Sequence, residues 1–159
     1  MLFSEAWPDI GGQYRSAEVD AFAPIGDLPP HHEQVEAEMH MFDQELRART
    51  DGPPPSAAEA VSLAIWAHME LVRIHPFQEG NGKTGRLLMN AIIMRYVTGP
   101  TRELNIPASD RTRYQRCVQE YRQGRLEAFE AFMADLLEAL AEHDARHQTI
   151  FARLRGLRR

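Results

Sequence analysis

Cysteine is nearly missing from this chain: Cys117 stands alone among 159 residues. A lone cysteine excludes an intrachain disulfide and any thiolate zinc cluster, and it fits a reducing compartment. Lysine is equally scarce. Lys83 is the single one, and every other of the 18 basic residues is arginine. Long hydrophobic runs are missing as well: no stretch approaches the roughly 20 apolar residues that span a bilayer, so no membrane partner is expected. The opening MLFSEAWPDIGG has neither a basic start nor an apolar run, and a soluble, cytoplasmic protein is the expectation. Positive charge is not in excess. A formal net charge of -5 gives no reason to expect nucleic acid as the partner. Internal repeats and low-complexity segments are also lacking.

What is present, 43% hydrophobic and 26% charged residues, suits one globular domain over residues 1–159 with a real core. The pattern predicts an all-α domain with one small β element. Short alternation through Gln13–Ser16 and Val19–Phe22 fits a hairpin or extended flap, about residues 13–27, before Pro24, Gly26, Pro29 and Pro30 break it. A first helix is predicted from about His31 to Arg49, with Val35, Met39, Phe42 and Leu46 on one face. Ser56 and Glu59 read as a capping box that starts a second helix, which Pro76 cannot continue beyond about Ile74. A third helix runs from near Gly82 to about Val97. Apolar residues from Leu87 to Met94 cover most of its circumference, so it is expected to be the buried central helix. Ser109 or Asp110 caps a fourth helix that Gly124 closes; a fifth starts near Leu126, with a helical extension over about 141–159.

Between the second and third helices lies His75-Pro76-Phe77-Gln78-Glu79-Gly80-Asn81-Gly82-Lys83-Thr84-Gly85-Arg86. A helix start has unpartnered backbone N–H groups and partial positive charge, so it binds anions. Gly80 and Gly82 let that backbone approach an oxyanion, and Asn81 can donate an amide N–H to it. Lys83 and Arg86, three residues apart, can face the same polyphosphate. Glu79 is a hard oxygen ligand suited to Mg²⁺. His75 can accept a proton near neutral pH. Phe77 is expected to point into the core and pin the loop. Taken singly, each has an ordinary structural reading: a histidine closing a helix, a glutamate meeting a dipole, a Gly-Asn-Gly turn. The joint occurrence favours a nucleotide site. Gly82-Lys83-Thr84 also ends like a P-loop, but that pattern needs glycine at Phe77 and a buried strand ahead of it.

The twelve residues resemble the signature of the Fic-domain family, H-P-F-x-[D/E]-G-N-G-R-x-x-R, at every defined position except Lys83. Gly12–Arg15, Pro29-Pro30 and Leu87–Asn90 are similar to the family as well, particularly to its animal, endoplasmic-reticulum branch. The resemblance implies a Fic-type helical bundle with a β-hairpin flap over the active site. It implies transfer of AMP from ATP to a Ser, Thr or Tyr hydroxyl of a target protein, releasing pyrophosphate. By position, His75 is then the general base and Glu79 the Mg²⁺ ligand. Gly80, Asn81, Gly82, Lys83, Gly85 and Arg86 bind the nucleotide, with Tyr121 and Arg122 near the adenine. Ser16, Ala17, Glu18, Val19 and Asp20 belong to the flap that pairs with the target.

Lys83 keeps the charge but loses the bidentate fork, which leaves open a non-catalytic nucleotide-binding or interaction module, or transfer of UMP or phosphocholine. No Ser or Thr has Glu four residues later, so the [ST]-x-x-x-E-[GN] pattern of the family's inhibitory helix is missing from these residues. The resemblance therefore implies constitutive competence or restraint by a separate antitoxin-like protein.

Overall fold

The computed structural model describes residues 12–19, 28–99 and 103–156, with side chains to residue 145. The described residues form five α-helices: α1 Val35–Thr50, α2 Ala57–Ile74, α3 Asn81–Ile93, α4 Arg111–Arg122 and α5 Glu127–Gly156. Short 3₁₀ turns precede α1 and α4, at His32–Gln34 and Ala108–Asp110. The chain divides into two compact units, residues 1–102 and 103–159.

In the first unit the local chemistry of α2 sets the frame. Its capping box forms: the Ser56 N–H donates to Glu59 Oε2 at 2.8 Å and the Glu59 N–H to Ser56 Oγ at 3.3 Å. The helix ends where Pro76, itself fully buried, removes a donor. Ten residues of α2 are buried, among them Ala60, Ala64, Ile65, Ala67, His68 and Ile74. On one side α2 meets α1, where Phe42 lies against Trp66 at 5.6 Å and Arg49 stacks on the same indole at 4.1 Å. Arg73 of α2 ties the pair, donating to Glu38 of α1 and to Glu70. On the other side it meets α3.

The buried central helix is α2, which corrects the expectation for α3. Met89, Asn90, Ile92 and Ile93 of α3 are buried, but Leu87 is 46% exposed and Ala91 is exposed too. Apolar residues around a circumference bury only the faces that meet a neighbour. The helix also changes winding: from Met94 to Thr98 it continues as a π-turn before Gly99 at φ 84°.

The second unit is a helical hairpin. Gly124 (φ 79°) supplies the left-handed turn after α4. Phe129, Phe132 and Met133 of α5 are fully buried, and Tyr114 of α4 meets Phe129 edge-on at 6.0 Å. Cys117 is buried there and donates to Ala128 O at 3.4 Å. Ser109 was a candidate cap for α4, but Asp110 is the N-cap and makes no side-chain capping bond.

Among residues 12–19 the backbone forms a turn and a bend rather than a strand, so the expected β-hairpin is not seen there. The rest of the flap expectation, Asp20 to Asp27, lies outside the described residues.

Candidate active site

The motif loop is bracketed by two left-handed residues. His75 ends α2 at φ 51°, ψ 56°, and among the described residues it alone has positive φ without being glycine. A side chain in that region carries strain of about 1–2 kcal/mol, which the surroundings must offset. Gly80 precedes α3 at φ 87°, where any Cβ is strained. Between them the chain reverses, so α3 starts beside the point where α2 stops.

Asn81 closes the loop. Its Oδ1 accepts from the Phe77 N–H at 2.9 Å and its Nδ2 donates to Phe77 O at 2.7 Å. The residue is 2% exposed. The amide holds the loop through these two bonds. Phe77 is half-buried against Tyr14 at 6.2 Å, while Pro76 beside it goes into the core.

The αL backbone of His75 is held from outside the motif by Arg15, a residue that is 4% exposed. The Arg15 N–H donates to Pro76 O at 2.8 Å and Nε to His75 O at 2.9 Å. Nη1 reaches Ala17 O at 3.1 Å and Nη2 reaches Pro30 O. One guanidinium therefore joins three segments through donors fixed in a planar fork. Burial lowers its pKa from the ordinary value and Glu18 pulls it back, so it stays charged. Composition and spacing give no sign of this junction; Gly12-Gln13-Tyr14-Arg15 stands out in the sequence only through the family resemblance.

The His75 ring has Nδ1 3.3 Å from Val72 O. A carbonyl only accepts, so this contact requires the proton on Nδ1 and leaves Nε2 as the basic atom. Five residues further on is the start of α3, where Gly80 offers no side-chain cap to the first N–H groups. A Cβ on Gly82 would lie 3.4 Å from Arg86 Nη1, which places that guanidinium nitrogen over the first turn of α3. Glu79 and Lys83 are exposed and Arg86 is half-buried.

Gly85 has a different task. A Cβ there would lie 2.6 Å from His68 Nδ1 and 3.3 Å from Val72 Cγ2, so its backbone sets how closely α3 approaches α2. The position is buried against α2. Burial pushes His68 down to about 4, a hydrogen bond with the Gly85 backbone raises it, and Arg86 lowers it. His68 is therefore neutral at pH 7. Ser16, Ala17 and Glu18 are exposed and Val19 is half-buried. Tyr121 and Arg122 occupy the last turn of α4 in the second unit, both half-buried.

Among the described residues, no helix is long and apolar enough to cross a membrane. The profile of the Fic/DOC family matches residues 1–93. The chain is 32% identical over 151 residues to a Nematostella vectensis protein named protein adenylyltransferase Fic, covering 94% of this chain and 33% of that relative. A Drosophila melanogaster protein of the same name is 34% identical over 131 residues, which cover 82% of this chain and 25% of the relative. Among solved structures, Fic-1 (residues 134–508) from C. elegans superposes with a TM-score of 0.74 at 24% identity, over 93% of this chain and 41% of that one. Its E274G form gives 0.73 at 25% identity. The chain spans a third or less of these curated relatives. With the family profile matching more than half of its length, this chain belongs to the Fic/DOC family.

Proposed function

We propose that this chain is a protein adenylyltransferase that moves AMP from ATP to a Ser, Thr or Tyr hydroxyl of a target protein. The observation that carries the reading is the meeting of two helix ends. His75 at the close of α2, with Nε2 as its basic atom, lies five residues before Gly80 and the uncapped start of α3. The start of α3 fits a phosphate: it has a Gly80 cap, no Cβ on Gly82, and Arg86 Nη1 alongside. Glu79 offers an exposed carboxylate to Mg²⁺, which when bound neutralises charge on the phosphates.

In the proposed reaction His75 Nε2 takes the proton of the target hydroxyl. The hydroxyl oxygen forms a bond to the α-phosphorus, the α–β bridging bond breaks, and pyrophosphate leaves with that electron pair. Backbone N–H groups at Gly80–Gly82 receive the charge that develops on the α-phosphate. Lys83 and Arg86 hold the terminal phosphates. Residues 16–19 belong to the surface that presents the target, and Tyr121 and Arg122 are assigned to the adenine by resemblance alone. A separate helical protein offering a glutamate to Arg86 fits as a regulator, and its co-purification would test that part.

With labelled ATP, His75→Ala should abolish label transfer while Mg·ATP affinity is largely kept. Undiminished transfer by that variant would falsify the base assignment. One observation favours a second reading. Lys83, exposed, puts a single ammonium where the family signature has an arginine fork. Mg·ATP binding without transfer to any lysate protein would select a nucleotide-binding module, and labelled UTP or CDP-choline run in parallel would reveal another transferred group.

A further inference from the structure

We propose that Glu18, His31 and His32 form a binding site for one divalent transition-metal ion of the zinc class, separate from the motif loop. Glu18 Oε1 lies 2.7 Å from His32 Nδ1 and 3.1 Å from His31 Nε2, and the three ligand atoms all fall within 4.8 Å of one another. A tetrahedral ion with bonds of roughly 2.0–2.2 Å holds its ligands about 3.3–3.6 Å apart. The cluster reaches that spacing by small side-chain rotations. Two imidazoles and one carboxylate select zinc, nickel or copper over magnesium and leave a fourth position for water.

Two further observations support a site over a chance ion pair. Glu33 Oε2 lies 3.6 Å from His31 Nδ1, the ring nitrogen that is not turned toward Glu18, within ion-pair reach and a small rotation from a hydrogen bond. A carboxylate behind a ligating histidine fixes its tautomer and strengthens it as a ligand. The ligands also come from two segments that the same guanidinium fixes: Arg15 binds the carbonyl of Ala17, just before Glu18, and that of Pro30, just before His31. A bound ion would clip the segment carrying Glu18 to the start of α1.

Calorimetric titration of the tag-free chain with Zn²⁺, in saturating Mg²⁺ to fill hard-oxygen sites, should show one site. Glu18→Gln and His31→Ala should each weaken it at least tenfold, and Glu33→Gln by roughly tenfold, as expected of an outer-shell partner. His75→Ala should leave it unchanged. Co²⁺ should give the strong visible bands of tetrahedral coordination, lost in His31→Ala. The ligand side chains are 30% to 56% exposed, so the variants should keep the wild-type helical circular dichroism. No Zn²⁺ binding by the wild type, undiminished binding by Glu18→Gln and His31→Ala, or loss of the site in His75→Ala would each overturn the proposal.

Discussion

Replacing Arg15 by alanine removes three side-chain hydrogen bonds at once, to His75 O, Ala17 O and Pro30 O. A hydrogen bond from a charged donor contributes about 1.5–3 kcal/mol. Taking the lower figure, because water can reach the carbonyls around Ala17 and Pro30 once the side chain is gone, the loss is on the order of 4–5 kcal/mol. For a domain of this size that lowers Tm by roughly 10–20 °C. Arg15→Lys should recover less than half of it. Three different nitrogens reach three carbonyls in fixed directions, and one ammonium cannot reproduce that fork. The backbone of His75 also loses the donor that keeps it left-handed, and a displacement of about 1 Å at a reacting group costs on the order of 10²-fold in rate. Thermal melts of both variants, with transfer rates measured below the lower Tm, read the two effects separately. A loss under about 1 kcal/mol in Arg15→Ala, or full recovery by lysine, would refute the junction as the anchor of the loop.

The two glycines of α3 predict opposite behaviour. Gly85→Ala forces a Cβ to 2.6 Å from His68, so denaturant titration should show a net loss of about 1–2 kcal/mol after the helix-propensity gain is subtracted. Gly82→Ala meets Arg86 Nη1 at 3.4 Å, which a flexible side chain can yield, so the fold should gain up to about 1 kcal/mol while ATP binding weakens. His68 predicts a pH dependence. Its folded pKa of about 4 lies below the ordinary 6.5, so the unfolded chain binds the extra proton between these values. Its contribution is complete above pH 6.5 and is lost as pH falls toward 4. The stability difference between wild type and His68→Gln should shrink by about 3 kcal/mol between pH 7 and pH 4. Asn81→Ala should open the loop and weaken Mg·ATP binding, and unchanged affinity would show that Phe77 is held by other means.

The sequence was most legible where a local rule decides the structure. The Ser56–Glu59 box and Pro76 mark both ends of α2 because capping and a missing donor act within a turn. It was less legible where a partner distant in sequence decides. Arg15 lies 60 residues from His75, and nothing in the spacing of either residue announces the bond. The short alternation around Gln13–Ser16 suits a strand, but an irregular segment pinned by one buried guanidinium reads the same way. For Asn81 the residue type did not announce the loop bonds: an amide that can donate to a phosphate can also bridge a backbone N–H and C=O four residues away. For α3, counting apolar residues overstated burial because Leu87 and Ala91 lie on a face that remains open to solvent.

The departure at Lys83 falls where the geometry tolerates it best. Position 83 is exposed in the first turn of α3, while Arg86 is half-buried beside Gly82. An exposed cation on a flexible stem contributes mainly by charge, and lysine supplies the same charge as arginine. A half-buried cation that must line up with a fixed backbone cradle contributes by direction as well, and there the guanidinium is present. The ends of the helices point the same way. The start of α3 favours the anion, and a cation formed on His75 would sit at the negative end of α2. Proton and phosphate charge would thus develop where the backbone already stabilises each sign, and neither contribution depends on residue 83. Lys83→Arg should therefore leave transfer intact or raise it modestly, whereas Arg86→Lys should lose far more. Equal losses in the two variants, measured as kcat/KM for ATP, would show that the exposed position also acts by direction.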